Sequence, residues 1–339
     1  MKIWEVKNLG LDNLSLSTKD IMPMADNEVL VNMKAATLNF RDLIMIDGGY
    51  GATGGKPPFI PISDGAGVVK NVGKNVKNFK VGDIVIPPFF KGWDSGDIKE
   101  NTIFSSLGGK EQGVMQEYMI FKENNIVHAP NQWSCLEAAT LPCAALTAWR
   151  TIVTEGKVNK DSIVLVQGLG GVSIFAIQIA KMFNAQVVAT TSSEDRMKIA
   201  KNIGADFVIN YKTDNNWWKK VLEVTDNKGA DIIVEVGGSK TLEQSIKCSR
   251  IGAVIGVIGV LSGGIAELPI GRVIYKASRL IGITCGNKKE LTDMINKFNS
   301  SNTKPIIDSI YKFEDLPKAL RYMSKGNHLG KIAIDFDKE

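Results

Sequence analysis

A chain of 339 residues that is 44% hydrophobic and 23% charged has the make-up of a soluble globular protein of about two domains of roughly 150 residues each. Its formal charge of +5 is spread along the chain, which suits small anionic ligands but forms no clustered stripe of the kind that tracks nucleic acid. The longest apolar run, 253–261, is broken by glycine and far below the roughly 20 residues that span a bilayer, and residues 1–6 show no leader-like apolar core, so neither a membrane span nor a signal peptide is expected.

Cys135, Cys143, Cys248 and Cys285 are scattered with no C-x-x-C pair, which points to reduced thiols in a cytoplasmic protein. His128 and His328 are the only histidines, so metal ligands are scarce. His128, before Ala129-Pro130, and His328, in a turn before the last strand, read as structural residues.

From residue 2 to about 129, short alternating segments are separated by glycine, proline and asparagine. Segments 28–33, 66–69, 72–76 and 81–85 predict strands of a β-rich domain, and the polar, glycine-rich stretch 91–113 predicts a long surface excursion. After residue 161 the rhythm changes. Strands are predicted at 162–167, 186–191, 207–210, 231–236, 253–260 and 280–284, with helices at 172–183, 195–203, 216–224 and 242–249 between them. Such alternation implies βαβ units and a parallel sheet, hence an α/β, doubly wound Rossmann architecture. Helices at 291–298 and 316–324 and a strand at 331–334 complete the chain. Trp217-Trp218-Lys219-Lys220 reads as a helix face with a packed aromatic and solvated lysines.

Gly168, Gly170, Gly171 and Val172 lie where the apolar strand 162–167 turns into an amphipathic helix. Glycine supplies positive φ or close backbone approach in such a turn, and the helix N-terminus offers free N–H groups to a pyrophosphate. A lone G-x-G is weak evidence; its place at the start of a βαβ run makes it a dinucleotide site. The sixth position is Ser173 in place of Gly or Ala, which would set the helix slightly further from the sheet. An acidic residue about 20 positions on would select NAD. Here the tip of the second strand reads Thr190-Thr191-Ser192-Ser193, with Arg196 and Lys198 following, and hydroxyls with a cation suit the 2′-phosphate of NADP(H). Arg196 is equally open to reading as a solvated helix charge, and Tyr211-Lys212 either covers the adenine or belongs to a surface loop.

Several further stretches, in this order and spacing, carry a resemblance: Asn39-Phe40-Arg41-Asp42, Asp64-Gly65-Ala66-Gly67-Val68-Val69, Val81-Gly82-Asp83, Glu137-Ala138-Ala139-Thr140-Leu141-Pro142 and Thr147-Ala148-Trp149, with the glycine turn itself. The chain resembles the medium-chain dehydrogenase/reductase superfamily along essentially its whole length, and within it the zinc-independent quinone-reductase-like group. The resemblance implies a GroES-like β-barrel domain over 1–144 and 285–339 with the Rossmann domain, 145–284, inserted. It implies a substrate cleft between the two beside the nicotinamide, and a homodimer formed through edge strands of the Rossmann domain.

Zinc-dependent relatives hold the catalytic metal with Cys, His and Cys, and the matching positions here are Asn39, Ser63 and Cys143. Only Cys143 is a good ligand; Asp64 nearby still leaves the set short of three, and 91–113 has none of the four cysteines of a structural zinc lobe. No metal is expected. By the same resemblance Thr147, Val236, Ile258, Val260, Thr284 and Cys285 join the cofactor contacts.

Without a Lewis acid, hydride addition to an already polarised acceptor is easier than alcohol oxidation. The expectation is zinc-independent, NADP(H)-dependent reduction of a quinone or an α,β-unsaturated carbonyl, with the enolate oxygen stabilised by nearby donors. Asn39 would hydrogen-bond the substrate or the nicotinamide ribose. Arg41 either stabilises an anionic intermediate or, with Asp42, shapes its loop. Tyr50 is either a proton donor or an aromatic lid. Two alternatives stand beside this reading: an NAD(P)-dependent alcohol or aldehyde dehydrogenase, and a non-catalytic NADPH-binding protein.

Overall fold

The computed structural model describes residues 1–338. The chain divides into two compact units, Met1–Leu146 with Gly286–Glu339, and Thr147–Cys285.

Thr147–Cys285 is an α/β Rossmann unit. Its six strands lie in the order Phe207–Asn210, Gln186–Thr191, Ile163–Gln167, Ala230–Glu235, Ser249–Val257 and Arg279–Gly282, and every neighbouring pair is parallel. By order of appearance this is 3-2-1-4-5-6, the doubly wound order, so the strand order reverses between Ile163–Gln167 and Ala230–Glu235. All five residues of Ile163–Gln167 are buried, which is why that strand reads as a continuous apolar run and does not alternate. The helix Gly171–Met182 buries Ile174, Phe175, Ile177 and Ile179, and Glu194–Ile203, Trp217–Val224 and Leu242–Cys248 supply later connections. Trp217 packs in a core with Val221, Leu165, Ile233 and Ile246, while Trp218 carries Lys219 and Lys247 over its ring.

The other unit is built on a seven-stranded sheet. Its path runs Ile307–Lys312, Lys331–Asp335, Glu28–Thr37, Asp64–Val72, Ile84–Ile86 and Val127–His128, with Tyr118–Lys122 pairing beside Glu28–Thr37. Glu28–Thr37 alternates between half-buried and buried positions along its first seven residues, as a sheet with one covered face requires. Its inward residues Val29, Val31 and Met33 pack with Ile3, Ile62, Met115, Leu316, Leu320 and Ile334. Lys331–Asp335 joins antiparallel to the end of Glu28–Thr37, at Ala333 opposite Thr37. This pairing ties the C-terminal part of the chain to the start of the helix Phe40–Ile46.

Three strand expectations shift, and the first of them, 253–260, runs instead over Ser249–Val257. Residues 73–76 form a turn closed by Gly73, Asn75 and Val76 N–H groups, because Gly73 ends the strand at Val72. In 81–85, Val81 is 60% exposed and Gly82 takes positive φ, so the strand begins only at Ile84. The stretch 91–113 is more than surface: Trp93, Ser106 and Leu107 are buried, and Phe90 bridges to Ser106.

Candidate active site

The glycine turn follows directly from the sheet. Gly168 has φ +70, a left-handed conformation that glycine adopts without strain, and its N–H donates to the Thr190 carbonyl at 2.7 Å. That bond sets the turn beside the tip of the neighbouring strand. Gly170 caps the helix Gly171–Met182 with φ −78, and a Cβ built there meets nothing within 4 Å. Neither backbone conformation nor protein packing therefore requires glycine at 170. Open space at a helix N-terminus, kept clear of side chain, fits the close approach of a pyrophosphate. Ser173 is buried and its hydroxyl donates to the Gln167 carbonyl at 2.7 Å, so the off-pattern residue ties the helix to the strand end.

Thr191 ends the second strand and is buried; Ser192 and Ser193 follow, half-buried and exposed. Ser193 caps the helix Glu194–Ile203, its Oγ accepting from the Arg196 N–H at 3.4 Å. Glu194 and Asp195 sit exposed in the first turn of that helix, and Arg196 is half-buried. Tyr211 is 41% exposed, and its N–H donates to the Thr191 carbonyl at 2.9 Å, which brings it to the same tip. Gly168, Thr191, Ser192, Ser193, Arg196 and Tyr211 thus share one end of the sheet.

The next strands continue that end. Val236 N–H donates to Gln167 Oε1 at 3.3 Å, and Ile258 N–H to the Glu235 carbonyl at 2.9 Å. Ile283 N–H donates to Val257, leading into Thr284 and into Cys285, which is buried at φ +78. Val260 is half exposed. Thr147 is buried in a helical stretch whose Thr151 lies against Gly256 of the fifth strand.

Two residues that the sequence did not single out hold this end together. Glu235 has no exposed surface, and its two oxygens receive Gln167 Nε2 at 2.7 Å, Ser245 Oγ, Thr241 Oγ1 and the N–H groups of Gly237 and Gly238 at 2.9 and 3.0 Å. Gln167 in turn accepts from Val236 and Gly237. A carboxyl ending the apolar run Ile232-Ile233-Val234 was the available signal.

In the other unit, Asn39, Arg41 and Tyr50 lie around the short helix Phe40–Ile46. Asn39 is its N-cap residue, and Asp42 Oδ2 accepts the Asn39 N–H at 2.7 Å. Arg41 is buried; it donates to the Leu107 carbonyl at 2.9 Å and to Ser106 Oγ at 3.3 Å, with its Cζ 4.9 Å from the Phe89 ring centroid and 5.6 Å from that of Tyr50. Burial pushes the Tyr50 phenol above its ordinary pKa, and the Arg41 guanidinium pulls the other way.

Asn39, Ser63 and Cys143 are brought together, but by protein groups. Lys331, 2% exposed, donates from Nζ to the Leu38 carbonyl at 2.7 Å and to Asn39 Oδ1 at 2.5 Å. Asn39 Nδ2 lies 3.4 Å from Ser63 Oγ, which donates to Asp64 Oδ1 at 2.7 Å; Asp64 Oδ2 accepts the Cys143 N–H at 3.0 Å. Lys331 Nζ stands 3.9 Å from Asp64 Oδ2. Burial drives the Asp64 carboxyl upward against the pull of Lys331. A tetrahedral zinc site needs three protein ligands of Cys, His or carboxylate type, and this donor set does not fit one. Among the described residues no group of three or more His, Cys, Asp or Glu is arranged to hold a metal.

Comparison with known proteins agrees with this architecture. Residues 25–131 match the alcohol dehydrogenase GroES-like domain, and residues 171–300 match the zinc-binding dehydrogenase family. A zinc-type alcohol dehydrogenase-like protein of Schizosaccharomyces pombe is 36% identical, over 97% of this chain and 96% of its own. The 2-methylene-furan-3-one reductase of Solanum lycopersicum is 31% identical, over 98% of this chain and 79% of its own. A crystal structure of a candidate alcohol dehydrogenase from Sinorhizobium meliloti 1021 superposes with a TM-score of 0.92 at 36% identity, covering 99% of this chain and 98% of that one. The sheet order, the glycine turn and these matches make the chain an NAD(P)H oxidoreductase that belongs to the medium-chain dehydrogenase/reductase superfamily.

Proposed function

We propose that the protein is an NADPH-dependent reductase of quinones or α,β-unsaturated carbonyls that works without zinc. The observation that carries this reading is the Lys331–Asn39–Ser63–Asp64 chain, in which Asn39 and Ser63, two of the three positions that the resemblance matches to metal ligands, are hydrogen-bonded to protein groups. Polarising an alcohol toward its alkoxide is then harder than reducing an acceptor that is already electron-poor. A bound nicotinamide supplies the hydride. Asn39 would donate to the oxygen on which negative charge develops, and the Tyr50 phenol, packed near the Arg41 guanidinium, would return the proton. Arg41, with donors committed to Leu107 and Ser106, would hold the loop beneath Tyr50.

NADP(H) is favoured over NAD(H) by the Thr191, Ser192, Ser193 and Arg196 cluster and the exposed placement of Glu194. Thr147, Val236, Ile258, Val260, Thr284 and Cys285 are proposed to line the nicotinamide end. A homodimer is proposed through the outer edge of Arg279–Gly282 and the helix before it, where Ile270, Ile274 and Tyr275 are largely exposed. Four free thiols fit a reducing cytoplasm, and among the described residues no helix is long and apolar enough to cross a membrane.

The alcohol dehydrogenase names among the relatives support a second reading, oxidation of an alcohol with NADP⁺. Steady-state assays separate the two. NADPH with 1,2-naphthoquinone or an alkenal should turn over, and a panel of alcohols with NADP⁺ should be much slower. Alcohol oxidation without quinone or enone reduction would sink the proposal. NADPH binding with no hydride transfer to any acceptor would make the protein a binder only. About one tightly held zinc per purified chain would overturn the metal-free reading.

A further inference from the structure

We propose that Lys331 is a positioning residue that fixes which way the Asn39 carboxamide faces, and so makes Asn39 a hydrogen-bond donor to its ligand. The inference rests on the ligand-contacting role proposed above for Asn39.

The direction of each bond in the cluster follows from chemistry. An ammonium only donates, so the Asn39 atom 2.5 Å from Lys331 Nζ must be the carbonyl oxygen. Nδ2 then faces Ser63 Oγ at 3.4 Å. The Ser63 hydroxyl spends its single proton on Asp64 Oδ1 at 2.7 Å, so toward Asn39 it can only accept. Asp64 Oδ2 closes the chain by accepting the Cys143 N–H. All bonds run with one polarity from a buried cation to a buried carboxyl. Turning the amide over would set N–H groups against the Lys331 ammonium and forfeit a charge-assisted bond.

Asn39 is half-buried, whereas Lys331, Ser63 and Asp64 are buried. A ligand would therefore meet this cluster through Asn39, at Nδ2, whose N–H groups otherwise face Ser63 Oγ and the Asp64 carboxyl. That donor suits an oxygen without a proton, such as the carbonyl of a quinone or enone or the enolate formed from it. Lys331 reaches Asn39 only because Lys331–Asp335 pairs with Glu28–Thr37, the strand that runs into Asn39.

A cycle of variants tests the inference, with NADPH and 1,2-naphthoquinone as substrates. Lys331→Met and Asn39→Ala should each lower kcat tenfold or more, with the Kd for NADPH within twofold of wild type. In the Asn39→Ala background, Lys331→Met should change kcat less than twofold, because the group it acts through is gone. An equal loss in both backgrounds would show a general structural effect and overturn the inference. Asn39→Ala at wild-type kcat would overturn the role of Asn39 itself, a distinguishable result. Without any ligand, Lys331→Met should speed exchange of the Asn39 side-chain amide protons in NMR at least tenfold; unchanged exchange would also overturn the inference. If loss of the cation alone leaves Asp64 unpaired and the chain unfolded, both arms are run in an Asp64→Asn background.

Discussion

The side-chain amide of Gln167 donates to Glu235 Oε2 at 2.7 Å, joining the C-terminal ends of the two parallel strands between which the sheet order reverses. Ligands of open α/β sheets bind outside the carboxyl ends of the strands at such a point. The Glu235 carboxyl also gathers the Gly237 and Gly238 N–H groups, so one buried side chain shapes the fourth strand's exit and braces the first.

Replacing Glu235 by leucine keeps much of its volume and strands several buried donors. Each unsatisfied donor costs about 1–3 kcal/mol, so Glu235→Leu should destabilise the protein by at least about 3 kcal/mol. It should also weaken NADPH binding through the loosened turn after the strand. Urea denaturation gives the first number and fluorescence titration the second. An unchanged denaturation midpoint would show that the network is inert.

Gly168 and Gly170 should separate fold from ligand. Gly168→Ala forces an L-residue to φ +70, at about 1–2 kcal/mol. Gly170→Ala meets no backbone strain and no neighbour, only the cap cost of about 1 kcal/mol or less. Yet the new methyl would occupy the space assigned to the pyrophosphate. Gly170→Ala should therefore raise the Kd for NADPH tenfold or more with little loss of stability. Wild-type affinity in this variant would remove the pyrophosphate from the turn.

The contrast between local and long-range information explains what was legible in the sequence. The glycine turn, the strand Gln186–Thr191 and the helix Leu316–Ser324 depend on residues adjacent in sequence, and their periodicity was readable. Segment 72–76 misled because Val-Gly-Lys-Asn-Val satisfies the pattern of a strand and of a turn alike. Asn39 was visible as a departure from a metal ligand. Lys331 was not, because 292 residues separate it from Asn39 and only the pairing of two strands joins them. Gln167 and Glu235 escaped for the same reason: their partnership needs the parallel register of Ile163–Gln167 with Ala230–Glu235.

The strand tip makes a sharper prediction about cofactor choice. A guanidinium on a 2′-phosphate is a charge-assisted contact of about 1.5–3 kcal/mol, or roughly 10- to 150-fold in affinity. Arg196→Ala should weaken NADPH by that factor and leave NADH within twofold. Equal effects on both dinucleotides would make Arg196 a bystander and return the selection of NADP(H) to the hydroxyls of Thr191, Ser192 and Ser193.

Asp42 predicts a pH dependence of stability whose sign is opposite to that of an ordinary surface carboxylate. The side chain is buried at the start of Phe40–Ile46, and burial raises its pKa from 3.8 to about 6, against the opposing pull of Arg41. The folded state therefore holds this proton more tightly than the unfolded chain does. Its contribution to stability is complete below about pH 4 and is lost as pH rises through about 6, at which point the folded protein must carry a buried carboxylate. A shift of this size corresponds to about 3 kcal/mol. Asp42→Asn cannot ionise, so the stability difference between wild type and variant should move by about that amount between pH 4 and pH 7, in the variant's favour at the higher pH. Urea denaturation of both proteins at four pH values across that range measures it. Parallel curves would mean that Asp42 is ionised throughout in the folded protein, with Arg41 and the Asn39 N–H together outweighing burial.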